Sequence, residues 1–211
     1  MIVLTLKEQP SVPLEAEALC PDAMAGLAPD AVRALPVFLG KRQCRVGDFF
    51  DVEGAGSDEI EIRGDARKVK WIGRGMTRGR ILIQGNAGMH LGAYMKGGTI
   101  EVTGDASDWV GAEMSDGLIR IGGNAGGQVG AAYRGSPSGM QDGTILIQGS
   151  AGIEVGMRMK RGTIAVRGPV RDFAGLQMKG GTIVLMSGAE LRTGAWMVRG
   201  TIVSLTEIRL L

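Results

Sequence analysis

The feature that most constrains this chain is a short apolar triplet that returns at a fixed interval. The triplets begin at Ile81, Ile100, Ile119, Ile145, Ile164, Ile183 and Ile202, after a less regular copy at Ile60. Successive triplets are 19 residues apart, except for one step of 26 residues between Ile119 and Ile145. A period held over this length predicts a repeat architecture in which each unit packs mainly on its neighbours.

The period and its glycines select the type of repeat. Nineteen residues are too few for the two helices of a common helical repeat, and a glycine stands two positions before each regular triplet. Glycine destabilises a helix interior by about 1 kcal/mol, whereas β-favouring runs between glycine-rich corners predict short strands. We therefore predict an all-β fold, a right-handed parallel β-helix of seven or eight coils. The first and third residues of each triplet should face the core, because side chains alternate along a strand.

The chain divides into a cap and a solenoid. We predict that residues 1–55 cap the first coil, where strand edges would otherwise be unpaired, and that residues 56–211 form the β-helix. Within the cap we expect an edge strand at 1–6, short helices at 22–27 and 30–35 with Asp30 as N-cap, and strand character over 41–52. Residues 134–140 form the insertion and should leave the regular path as a loop. The spacing then places Tyr133 where other coils carry a methionine.

Composition limits the classes of function. The 36 glycines and 4% aromatic residues suit an aliphatic solenoid core, and a net charge of +2 argues against a nucleic-acid-coating surface. Residues 1–7 combine neither a basic leader nor a long apolar core, so we expect no signal peptide, and because no apolar run approaches about 20 residues we expect no membrane insertion. Two cysteines, Cys20 and Cys44, are too few for a disulfide framework and favour a reducing, cytoplasmic location.

Several segments together carry a resemblance to a known family. Glycine-rich coils such as MKGGTI at 95–100 and 178–183, with GNAG at 123–126, resemble the GXGXG β-helix of the glutamate synthase C-terminal domain. The segments LPV at 35–37, VGDFFDV at 46–52, GRGMTRG at 73–79 and GAAYRG at 130–135 are more similar to the C subunit of formylmethanofuran dehydrogenase. That resemblance covers nearly the whole chain, including the cap.

The resemblance implies a structural role in a larger assembly. In methanogens the family's complex interconverts carbon dioxide and formylmethanofuran with a tungsten or molybdenum pterin held by another subunit. In methylotrophic bacteria a similar subunit belongs to a formyltransferase/hydrolase complex, which moves a formyl group from tetrahydromethanopterin to a methanofuran-type carrier and releases formate. By this resemblance the partners are an amidohydrolase-like A subunit with metal ions, a B subunit and, in bacteria, a formyltransferase D subunit. We favour the bacterial complex.

The residues themselves predict no catalytic or metal site in this chain. His90 is the single histidine, so a two-histidine metal site is excluded, and we expect it to be packed or to lie at an interface. Cys20 and Cys44 lack a paired metal-binding or redox spacing and are expected to be structural. The glycine-rich run at 122–127 recurs as a coil corner, which argues against a phosphate-binding loop. We predict that this chain binds no cofactor of its own, apart from the carrier contact described below.

Two outer surfaces are candidates for function. The middle triplet positions face outwards and place Glu101 beside Arg120, followed by an apolar stripe that we predict to dock a partner subunit: Leu146, Ala165, Val184 and Val203. Alternatively, the chain's own termini or loops cover this stripe. At one corner a basic row consists of Lys96, Lys160, Arg161 and Lys179, with Arg199 beside it. These cations are either solvated or, because methanofuran-type carriers bear glutamate chains, bind the carrier's anionic chain.

Two further classes remain open. A separately encoded glutamate-synthase-type domain would support ammonia or glutamate chemistry. A carbohydrate-processing β-helix needs a carboxylate cluster on one face, and the outward triplet positions supply only Glu101.

Overall fold

Short strands and shorter helices make up the chain, whose residues 1–208 are described by a computed structural model. The cap and its junction contain β1 (Ile2–Leu6), β2 (Leu14–Glu15), α1 (Pro21–Met24), α2 (Pro29–Arg33), β3 (Pro36–Leu39), β4 (Arg42–Arg45), α3 (Val46–Phe49) and β5 (Phe50–Gly54). The coils contain β6 (Glu59–Arg63), β7 (Val69–Lys70), β8 (Arg80–Gln84), β9 (Lys96–Val102), β10 (Asp116–Ile121), β11 (Thr144–Ile147), β12 (Thr163–Val166), β13 (Lys179–Leu185) and β14 (Arg199–Ser204). No helix in residues 1–208 has the length and apolarity needed to cross a bilayer.

The triplets stack in register and confirm the predicted parallel β-helix. Strands β6 and β8 to β14 lie side by side in one parallel sheet, in which Ile81 pairs with Ile100 and Ile100 with Ile119. Ile119 pairs with Ile145 across the longer step, so the extra residues are accommodated elsewhere in the coil. A second wall is a row of single β-bridges through the small residue that follows each triplet, an alanine in most coils, as in Ala87 to Ala106, and Val170 in one.

Each coil contributes the same few side chains to the core. In one coil these are Ile100, Val102, Ala106, Val110 and Met114, all of them buried. Burying each of the larger side chains, the Ile, Val and Met, stabilises the fold by about 1.5–3 kcal/mol, and the contribution recurs in coil after coil. The predicted inward orientation of the first and third triplet positions is therefore confirmed.

The N-terminal segment differs from prediction in the position of its first strand. Strand β1 is not an edge strand, because it lies between β6, to which it is parallel, and β5, to which it is antiparallel. Strand β5 is the sheet edge instead. A second sheet of four strands, in the order β4-β3-β2-β7, attaches the segment to the first coil.

The local structure of the cap also differs in three places. Helix α2 begins at Pro29, whose fixed φ suits the first helical position, so Ala28 and not Asp30 is the N-cap. The side chain of Asp30 instead pairs with Arg33 at 2.6 Å.

Helix α1 is shorter than predicted. Asp22 in this helix accepts a hydrogen bond from the main-chain N–H of Thr77 at 2.9 Å, which joins the cap to a coil corner. The predicted strand over 41–52 is interrupted by α3, where Asp48 accepts from the Arg45 N–H.

The insertion changes which residue completes the core of its coil. Met140 is fully buried, and its main-chain carbonyl accepts the Lys160 N–H, as the Met114 carbonyl accepts the Gln141 N–H. Met140 thus takes the methionine position that the spacing gives to Tyr133. Tyr133 is displaced onto the outside of the coil, and the residues between the two form the loop.

Glycines at one corner allow neighbouring coils to approach closely. Gly98 stands two residues before its triplet with φ of 83°, and a Cβ atom there would lie 2.8 Å from the Gly79 carbonyl oxygen. Gly75 has φ of 65°, but nothing lies within 4 Å of the place where its Cβ would be. The two glycines therefore separate the effect of backbone conformation from that of close contact.

We expect Gly98→Ala to destabilise the fold more than Gly75→Ala. The second change should lower the free energy of unfolding by about 1 kcal/mol, because an alanine at positive φ is strained. The first should lower it by about 1–3 kcal/mol more, since overpacking against backbone forces the coils apart. Urea unfolding measures both values, and equal losses for the two variants would contradict the close-contact explanation.

Candidate functional site

The apolar stripe forms one straight column on the outer face of the main sheet. Parallel register aligns Leu146, Ala165, Val184 and Val203 on strands β11 to β14. Val203 is 39% exposed, and the other three side chains are half-buried. Threonines on the same four strands form a parallel column beside the stripe: Thr144, Thr163, Thr182 and Thr201. β-branched and aliphatic side chains thus give this half of the sheet a largely uncharged outer face.

Charged residues occupy the same face in the preceding coils. Glu101 pairs with Arg120 at 3.5 Å, which confirms the predicted neighbour pair, and it also pairs with Arg80 at 3.1 Å. All three side chains are partly exposed to solvent, so each pair is worth no more than about 1 kcal/mol. The face therefore changes from charged to apolar along the solenoid axis.

The basic row lies along one corner, as its spacing predicts. The main-chain N–H groups of Lys96, Lys160 and Lys179 each donate to the carbonyl of the methionine one coil earlier, at 2.7 to 2.8 Å. Lys160 and Lys179 are on adjacent coils, and Arg161 follows Lys160 on the exposed surface. Lys96 is three coils from Lys160, about 14 Å at the usual strand spacing. The structure therefore brings Lys160, Arg161 and Lys179 together and leaves Lys96 apart.

The insertion loop contacts this corner, which the sequence did not predict. The Lys179 ammonium donates to the Pro137 carbonyl at 2.7 Å, and Arg158 Nη1 donates to the Ser136 carbonyl at 2.8 Å. The loop therefore folds across the last coils and engages one member of the basic row.

A group of aromatic side chains at another corner was also missed. Trp71, His90 and Trp109 occupy equivalent positions on successive coils, and the Trp71 and His90 rings stack with centroids 4.1 Å apart. Tyr133 reaches back from the insertion, and its hydroxyl lies 2.9 Å from His90 Nδ1. The three ring positions are 19 residues apart, so the period held a signal for this stack. Tyr133 could not be placed from the period, because it belongs to the irregular coil.

Burial keeps the central pair of this group uncharged. Desolvation is the main cause that lowers the pKa of His90 to about 4. The positive charges of Lys70 and Arg74 lower this pKa further, and the negative charge of Asp108 raises it by less than the two cations lower it. Desolvation also raises the pKa of Tyr133 above its usual value. His90 and Tyr133 are therefore both neutral near pH 7, and their hydrogen bond joins a neutral imidazole to a neutral phenol. This is a packing contact that fixes the base of the insertion loop.

The two cysteines also lie in packed, buried positions. Burial raises the pKa of the Cys20 thiol to about 11, which disfavours the nucleophilic thiolate. Cys20 and Cys44 are both free and buried. Across residues 1–208, no three His, Cys, Asp or Glu side chains are grouped closely enough to hold a metal ion. The described surface offers apolar area, hydrogen bonds and charge for binding.

Comparison with known proteins assigns this glycine-cornered β-helix to a family. The profile of the GXGXG motif matches residues 66–208, well over half of the chain, so the chain belongs to the GXGXG motif family. The match begins at the alanine that opens the bridge row and includes the coils that follow it.

Curated relatives narrow the assignment. The chain is 44% identical over 97 residues to the C subunit of the tungsten-containing formylmethanofuran dehydrogenase 2 of Methanothermobacter thermautotrophicus. It is 42% identical over 95 residues to the C subunit of the molybdenum-containing enzyme 1 of Methanosarcina barkeri. The first match covers 44% of this chain and 36% of the relative, so the aligned part spans about a third of that relative's length.

A solved structure matches almost the entire chain. It is a chain of the formyltransferase/hydrolase complex (FhcABCD) from Methylorubrum extorquens, solved in complex with methylofuran. The TM-score is 0.93 at 31% sequence identity, over 99% of this chain and 78% of the other. These matches confirm the predicted resemblance to the C-subunit family of formylmethanofuran dehydrogenase.

The neutral state of His90 generates a pH prediction that is tested with His90→Phe, which keeps a ring in the stack. Between pH about 6.5 and 4 the unfolded chain binds a proton at His90 and the folded chain does not, so acid favours unfolding. The stability difference between wild type and His90→Phe should therefore shift against wild type as the pH falls. Urea unfolding from pH 7.5 to 4.0 measures this difference. A difference that stays constant with pH would contradict the buried, neutral histidine.

Proposed function

We propose that the chain is the non-catalytic C subunit of a formyltransferase/hydrolase complex. In this proposal the complex moves a formyl group from a tetrahydromethanopterin carrier to a methanofuran-type carrier and releases formate. The observation that carries the proposal is the match to a chain of FhcABCD, which extends over 99% of this chain, including the cap.

The chemistry is assigned to other subunits: an amidohydrolase-like A subunit with metal ions, a B subunit and a formyltransferase D subunit. The contacts of this chain's reactive residue types support that division. His90 is stacked and hydrogen-bonded to Tyr133, and the Cys20 thiol is buried with a raised pKa. Buried free thiols are also compatible with the cytoplasmic location that we propose.

The second candidate is the C subunit of a tungsten- or molybdenum-containing formylmethanofuran dehydrogenase. The higher identity of 44% to such a protein, over 97 residues, favours this candidate.

Purification of the tagged chain from its native cells, followed by mass spectrometry and metal analysis, distinguishes the two candidates. A co-purifying formyltransferase supports the hydrolase complex, and co-purifying tungsten or molybdenum supports the dehydrogenase. A flavin or iron–sulfur synthase partner would point to the glutamate synthase class and contradict both.

We propose further that the apolar stripe docks one of the partner subunits. The stripe is an aliphatic column that extends over four adjacent strands, next to the threonine column, and consists of Leu146, Ala165, Val184 and Val203. Apolar contact area of this kind stabilises association when a partner removes it from water.

Val184→Lys should release the docked subunit, because the change places a charge in the middle of the stripe. Ala31→Lys on the exposed side of α2 is the matched control, since it adds the same charge away from the stripe. Both tagged variants are compared with wild type by co-purification. Retention of every partner by Val184→Lys would show that the stripe is not an interface.

We also propose that the exposed cations of the basic row bind the glutamate chain of the carrier. Lys160, Arg161 and Lys179 lie on two adjacent coils, within the distance of about 8 Å over which charges are not fully screened at physiological salt. Lys96 would meet a more distant part of an extended chain.

Replacing Lys96, Lys160 and Arg161 together by serine should raise the Michaelis constant for the carrier, with little change in turnover. The increase should be largest at low salt and should diminish as salt screens the attraction. The measurement uses the assembled complex, and Lys41→Ser on the cap serves as a control for loss of one exposed charge. A Michaelis constant that matches wild type at low salt would mean that these side chains are only solvated.

A further inference from the structure

A groove lies at the corner of the last coils, between the solenoid and the insertion loop. Its volume is about 490 Å³. It is lined by Pro137, Arg158, Gln177, Lys179, Trp196 and Val198. Two rows of successive coils supply its floor. One row contains Arg158, Gln177 and Trp196, and the adjacent row contains Lys179 and Val198.

The two cations of the groove are held in place by neutral groups. Lys179 donates to the Pro137 carbonyl, while Arg158 donates through Nη1 to the Ser136 carbonyl and through Nε to Gln177 Oε1 at 2.8 Å. In the described part of the chain, neither cation forms an ion pair within 4 Å. Each also keeps N–H groups that these bonds do not use. The groove thus presents positioned donors and uncompensated positive charge.

The other wall of the groove is apolar and open. Trp196 is 74% exposed and Val198 is 76% exposed, on the coil directly after Lys179 and two coils after Arg158. Large apolar side chains in such positions are typical of contact surfaces, and tryptophan combines apolar area with an N–H donor. A ligand that carried only negative charge would leave this wall in water. The groove therefore fits a ligand in which carboxylates stand next to an aromatic or aliphatic group.

We propose that this groove binds an acidic segment of a partner polypeptide, with an apolar side chain against Trp196 and Val198 and carboxylates on Lys179 and Arg158. A peptide fits better than single-stranded nucleic acid, because the groove offers a single exposed indole and the chain has a net charge of only +2. The site is separate from the apolar stripe and does not depend on which one-carbon complex contains the chain. It shares Lys179 with the basic row, so an acidic peptide in the groove would compete with the carrier's glutamate chain for that ammonium group.

The test is fluorescence anisotropy with the full-length chain and a short labelled peptide that alternates glutamate with phenylalanine or leucine. We expect binding that weakens as salt increases. Trp196→Ser should weaken it about tenfold or more by removing the apolar contact. Lys179→Gln should have a similar effect, because glutamine keeps a donor for the Pro137 carbonyl and removes the charge.

Two matched variants control for changes elsewhere. Val12→Ser removes an exposed apolar side chain from the cap, and Lys41→Gln removes an exposed charge there. Both should bind the peptide as wild type does, and all four variants should unfold at the same urea concentration as wild type.

Several results would overturn the proposal. The first is no binding of the peptide, and the second is binding that neither Trp196→Ser nor Lys179→Gln weakens. Equal affinity for an all-glutamate peptide of the same charge would show that the apolar wall has no role and that the groove accepts any polyanion. Tighter binding of a labelled oligothymidine would assign the groove to nucleic acid.

Discussion

Hydrogen bonds between the main chains of successive coils are the interaction on which the rest of this structure depends. They run along the triplet strands and along the corners, as in the bonds from Gly104 to Gly85 and from Lys96 to Met76. Because each coil provides hydrogen-bond partners for the main-chain N–H and C=O groups of its neighbour, the side chains inside need only fill space. The buried Ile, Val, Ala and Met side chains do this. Close stacking requires that nothing stand between the coils, and Gly98 shows how tightly that condition is met.

This arrangement separates the inside of the molecule from its surface. A substitution at an outward position changes one site of a column and leaves the ladder intact, so the surface can vary along the axis. It changes from the charges around Glu101 to the stripe that ends at Val203, and other parts of the surface hold the Trp71 stack and the groove beside Trp196. A rod with distinct surfaces in fixed positions suits the scaffold role that we propose for this chain.

The regular part of the fold could be predicted from the sequence, because a fixed period determines register, core and corners together. The irregular parts could not. The spacing gave the methionine position to Tyr133, whereas burial selects Met140, since the longer coil is free to place its extra residues earlier. The basic row was visible as a spacing, but the contact of Lys179 with Pro137 depends on where the loop folds. The Tyr133–His90 contact likewise joins residues that no period relates.

Hydrogen exchange on the isolated chain and on the chain within its assembled complex tests most directly whether the coil ladder is a self-sufficient scaffold. We predict that amides in β8 to β13 are strongly and equally protected in both states, because their bonds lie within the chain. Assembly should add protection only at outer surfaces. If the amides of these strands exchange in the isolated chain as in an unfolded chain, and become protected only in the complex, the coil ladder is not self-sufficient.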